Sequence, residues 1–165
     1  MLVLSVNCLA SDSTFVFKEF RLSIDFPQNW TREKMNDKVF VFKMKCDGSL
    51  NFCPNIVAQF VPVQEGYTLD QAANQFATTF QAKYKSVEWI NMGDKEVGPI
   101  KMAVVDYKLF ENNVRLGGTT AIIALADKKY ILTLSLMAMN DEKGSYVNYR
   151  RLFENILNSA KALSD

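Results

Sequence analysis

Apolar and polar residues alternate with a period of two along most of this chain. Phe20, Leu22, Ile24 and Phe26 alternate with Arg21, Ser23 and Asp25, the pattern of a strand with one buried and one wet face. Pro27 has no N–H to donate and ends that strand, so a turn carrying Trp30 and Thr31 is expected next. Phe40, Phe42 and Met44 form a second apolar row, with Lys43 and Lys45 on the other side. Asp47-Gly48-Ser49 has turn chemistry and leads to a third strand over 55–63. These runs predict an antiparallel meander.

The period then changes. Thr68 with Gln71 three positions later is a capping-box pair, each side chain serving an orphan backbone N–H of the other. Leu69, Ala72, Ala73, Phe76 and Phe80 recur at helical spacing, giving one apolar stripe that needs a sheet to cover. The helix should fade near Ser86. Strand-like runs follow at 87–92, 100–110, 116–126 and 129–139, with turns expected at Asn112-Asn113 and Asp127-Lys128. Gly117-Gly118 reads as a bulge at a strand entrance rather than a phosphate loop. A last helix starts at Ser145, with Tyr149, Leu152, Phe153, Ile156 and Ala160 on one face. Hairpin-length connections favour antiparallel pairing, and two striped helices need a sheet to cover. The expected fold class is α+β: an antiparallel sheet of about six to seven strands flanked by helices, in a single domain over 15–165.

Composition narrows the function. The 165 residues carry 19 basic and 18 acidic side chains, a net charge of +1. Nucleic-acid binders take most of their affinity from a basic excess, so no nucleic-acid partner is expected. The chain has no histidine, which removes Ser-His-Asp and Cys-His arrangements and histidine-containing zinc sites. No metal, cofactor or catalytic residue is expected. Carboxylates stand singly or beside lysines, as in Asp94-Lys95-Glu96 and Asp141-Glu142-Lys143, and read as solvated turns. Arg150-Arg151 reads as a solvated helix face. No run approaches the roughly 20 apolar residues of a membrane span. Residues 1–14 have two readings: the tail of a secretory signal, with Leu2, Val3 and Leu4 opening a short apolar run, or a strand or coil on the domain. The first makes the protein exported, periplasmic or extracellular; the second leaves a cytoplasmic one.

Three side chains and one cysteine pair are candidates for more than packing. Cys46 and Cys53 flank the turn between the second and third strands and would face each other near a hairpin mouth, within disulfide reach; the other reading is two reduced thiols. Trp30, Phe76 and Phe80 either line a pocket between sheet and helix or belong to the core.

Short motifs in this order resemble a known family. Phe26-Pro27-Gln28-Asn29-Trp30 is similar to the early strand-Pro-x-x-Trp motif of PsbP-like and bacterial DcrB-like proteins. Pro54-Asn55-Ile56-Val57, Gly66-Tyr67-Thr68-Leu69, Val97-Gly98-Pro99 and the helix over 146–163 follow in the same sequence. The resemblance covers 20–163 and implies the fold shared by PsbP and the Ran-binding Mog protein. It further implies an accessory or binding protein rather than an enzyme. The leading expectation is a non-enzymatic module holding a protein partner in a groove or on a sheet face, with an exposed apolar patch of several hundred Å². The alternative is a carrier of a small apolar ligand, and the third reading is an enzyme without a recognisable motif.

Overall fold

The computed structural model describes residues 13–46, 52–111, 113–125, 129–140 and 145–163. In chain order its elements are β1 (Ser13–Phe17), a 3-10 turn (Lys18–Phe20), β2 (Leu22–Phe26), β3 (Trp30–Asn36), β4 (Val39–Met44) and β5 (Asn55–Pro62). Then come α1 (Leu69–Lys83), β6 (Val87–Val97), β7 (Ile100–Glu111), β8 (Val114–Ala124), β9 (Tyr130–Met139), α2 (Ser145–Asn158) and β10 (Lys161–Ala162). The strands make a seven-stranded sheet, β3-β4-β5-β9-β8-β7-β6, and a three-stranded one, β1-β2-β10. Among the described residues every strand pairing is antiparallel. The fold is the expected α+β arrangement.

The two faces of the large sheet are covered unequally. On one, α2 lies against β8 and β9, and the small sheet closes the β4–β5 end with phenylalanines. Phe15 meets Phe26 and Phe42 edge-on, and Phe17 meets Phe40 edge-on. The core cluster there runs from Leu22 and Ile24 through Leu132, Leu134 and Leu136 to Phe153 and Ile156. On the other face α1 packs on β7 and β8, and beyond β9 the sheet has no helix over it among the described residues. Val41 and Val57 pair across that uncovered stretch and stay half-buried.

Several local expectations need correcting. Trp30 and Thr31 begin strand β3 rather than a turn. The strand escapes a hydrophobic pattern because residues 31–36 are exposed at the sheet edge. Arg32 lays its guanidinium over the Phe15 and Phe40 rings, 5.1 and 5.8 Å from their centroids, so a charged residue covers apolar surface. Gly117-Gly118 makes no bulge, since β8 pairs in unbroken register with both neighbours through these positions. The glycines instead admit aromatic rings on opposite faces. A Cβ at Gly117 would run into the Tyr146 ring, and one at Gly118 into Tyr107. Asp94-Lys95-Glu96 lies on edge strand β6, not in a turn. Strand pairing already begins at Ser13; residues 1–12, Asp127-Lys128 and Asp141-Glu142-Lys143 lie outside the described residues.

Candidate functional site

The uneven covering of the sheet creates a groove beside α1. The capping box sets the helix start: Thr68 Oγ1 accepts from the Gln71 N–H at 3.2 Å, and the Gln71 side chain accepts from the Thr68 N–H at 2.9 Å. From there Ala72 and Ala73 are buried against Ile122, Ile131 and Ala103. Small residues bring the helix down onto β8 and leave a trough on its β5 side. The trough measures about 380 Å³, within the range of ligand sites. Its apolar walls include Val61, Val63, Phe76, Ile122 and Ile131, and its polar groups are amides and hydroxyls such as Gln59, Gln75, Thr79 and Thr133. None of its lining residues is charged. A second depression, about 440 Å³, shares Val63, Tyr67 and Ile131 with the first and carries one acid, Glu65.

The aromatic candidates are divided by this geometry. Phe76 lines the groove. Phe80, one turn on, packs on Tyr107 and Trp89, with ring centroids 4.6 and 6.0 Å away. Trp30 is 5% exposed inside the core cluster of the opposite face, so it lines no pocket with the other two. Trp89, which the sequence reading did not single out, completes the aromatic group beneath α1 and donates to the Gln81 carbonyl oxygen at 3.3 Å. Cys46 and Cys53 are brought together with Cα atoms 6.2 Å apart, a separation a disulfide spans.

The second polar constellation lies under α2, on the other face. Asp106 is 4% exposed. Arg150 grips it with two bonds, Nε to Oδ1 at 3.2 Å and Nη2 to Oδ2 at 2.9 Å, and reaches Glu154 at 2.7 Å through Nη1. Thr119 donates to Asp106 Oδ1 at 2.7 Å, and the Tyr146 hydroxyl lies 2.9 Å from both Thr119 Oγ1 and the Gly118 carbonyl oxygen. Burial pushes the Tyr146 phenol up to about 12. The hydrogen bond to Asp106 raises the Arg150 guanidinium further above its ordinary value. Arg150 is therefore a partly buried, paired residue rather than part of a freely solvated face, while Arg151 beside it is exposed. A carboxylate held by a forked guanidinium and a hydroxyl has its acceptor capacity committed, and the cluster ties α2 to β7 and β8. Asp106 was legible only as a lone acid within the apolar run Val104-Val105-Asp106-Tyr107. The Tyr107 hydroxyl, on the α1 face, is buried without a hydrogen-bond partner among the described residues, and burial raises its pKa.

With a half-covered antiparallel sheet, a helix on each face and a small sheet at one end, the architecture can be compared whole. The chain has the fold of PsbP and Mog1. Cyanobacterial PsbP (CyanoP) from Synechocystis superposes with a TM-score of 0.70 at 15% identity, covering 98% of each chain. The Ran-binding protein Mog1p of Saccharomyces cerevisiae gives 0.64 at 9% identity, over 94% of this chain and 97% of its own. LpqN of Mycobacterium tuberculosis, a protein involved in cell envelope biogenesis, gives 0.66 at 13% identity, over 93% and 91%. No family model matches the sequence, and no curated protein matches it significantly. The PsbP/Mog likeness therefore lies in the path of the chain, and partners do not travel with a fold.

Proposed function

We propose that this protein is a non-enzymatic binding module that holds a protein partner along the groove between α1 and the β5–β9 half of the sheet. The observation that carries the reading is the contrast between the two faces. The face under α2 and the small sheet is packed over most of its area, leaving a smaller depression of about 140 Å³ beside Arg150 and Glu154, and its buried Asp106 is paired with Arg150. The α1 face keeps a larger, mainly apolar trough lined in part by the half-buried Val61 and Val63. General acid–base or nucleophilic work needs an acid, a base or an activated nucleophile in the cleft, and the groove offers amides and hydroxyls instead. The Ran-binding protein Mog1p supports the reading as a similarly built chain described by what it binds. We place the protein outside the cytoplasm, where a Cys46–Cys53 disulfide would persist.

A photo-crosslinking amino acid at Gln59, in cells that normally make the protein, tests this. A discrete polypeptide adduct is expected from position 59 and none from Glu88 on β6. Equal adducts from both positions would contradict the groove as the binding face, and a co-purifying small molecule with no polypeptide adduct would favour the carrier reading, for which the groove's volume is also adequate.

A further inference from the structure

We infer that the groove's occupant is an extended, uncharged stretch of polypeptide, seated with alternate side chains in the two depressions that meet at Tyr67. This rests on the groove being the binding face proposed above and adds the chemistry of what it binds.

Charge is the first argument. Charged residues make up 22% of the chain, yet none lines the first depression. A charged ligand group there would lose part of its hydration and meet no counter-charge, which disfavours it against an uncharged one. The second depression holds Glu65 as its one ionisable acid, which disfavours a further acid at that end.

The polar groups supply the second argument. Amide side chains offer a donor and an acceptor in one plane, the complement of a peptide group. Tyr67 donates its hydroxyl to the Gln75 carbonyl oxygen, which turns the Gln75 amide nitrogen into the group left to donate. Across the trough, the Gln59 backbone carbonyl accepts from Thr133 at 3.3 Å, while its side-chain amide has no partner among the described residues. One amide on the helix wall and one on the sheet wall can thus bracket a backbone.

Shape is the third. The trough is partly open rather than enclosed, whereas sites for small molecules bury most of their ligand's surface. Two depressions in tandem, parted by Val63 and Tyr67, suit a linear chain whose same-side residues recur every second position.

Selection from a phage library of short random peptides, against the folded full chain, tests the inference. Thr79→Trp and Gln64→Trp fill the groove from the helix wall and from just past the end of β5, both at exposed positions, so a folding defect in one leaves the other as control. Enriched peptides should have an uncharged centre with apolar residues two apart. Their binding, read by fluorescence anisotropy, should weaken at least about tenfold in both variants. Peptides charged through the centre, binding untouched by both substitutions, or no enrichment over the filled variants would overturn the inference. If any of these occurs while Gln59 still crosslinks to a polypeptide, the binding face stands and only its stated chemistry fails. If the crosslink is lost as well, the face itself fails.

Discussion

Asp106 is the residue on which the buried polar structure turns, because Arg150, Thr119 and Tyr146 all converge on it. Removing Arg150 leaves the Asp106 carboxylate buried without its cation, which costs at most about 3–5 kcal/mol and less where solvent already screens the one-third-exposed guanidinium. Arg150→Met should therefore lower urea-measured stability by an amount of that order, and the double variant D106L/R150M should recover most of it. A single variant within about 0.5 kcal/mol of the parent, the range of ordinary surface substitutions, would show that the pair is solvated. Tyr146 adds a pH signature. Its phenol titrates near 10 in the unfolded chain and about 12 in the folded one. Between those values the unfolded state gives up a proton that the folded state keeps, so stability is complete below pH 10 and declines as pH rises through the window. Urea midpoints measured across that range should fall less steeply in Tyr146→Phe.

At the scale of elements, the sequence spoke clearly wherever one face of an element is buried. The capping box at Thr68 and the stripe through Phe76 and Phe80 placed α1, and alternation placed β2, β4 and β5 within a few residues. Strand β3 stayed hidden because an edge strand with exposed charges has no apolar row to display. The Gly117-Gly118 pair was visible but its purpose was not, since the rings that need it come from Tyr107 and Tyr146, remote in sequence. Gly118→Ala should destabilise by about 1–3 kcal/mol as Tyr107 is forced off its place, measured by thermal or urea unfolding, while Gly93→Ala, which meets nothing, should change little. The hairpin between β4 and β5 carries the cysteine pair. Its short closure is worth about 2 kcal/mol in the chain-entropy account, so Cys53→Ser should lower stability by that order. Protein from its native source should resist thiol alkylation at Cys46 until reduced.

For the whole molecule, the candidate site was only half legible. The sequence could say that α1 presents aromatics to a sheet; it could not say that α1 covers β7 and β8 and leaves the sheet bare beyond β9, because that depends on strand order. Trp30 and Phe76 looked alike in the sequence and lie on opposite faces. In the proposed function the α2 face is mainly structural, its depression smaller than the groove, and the partner lies on the α1 face. Hydrogen–deuterium exchange of the protein, alone and in complex with the polypeptide captured at Gln59, tests that claim most directly. Added protection should fall on 57–63, 72–79 and 131–133 and spare α2 and the β6 edge. Protection centred on α2 or on β6, with the α1 groove exchanging as it does in the free protein, would contradict it.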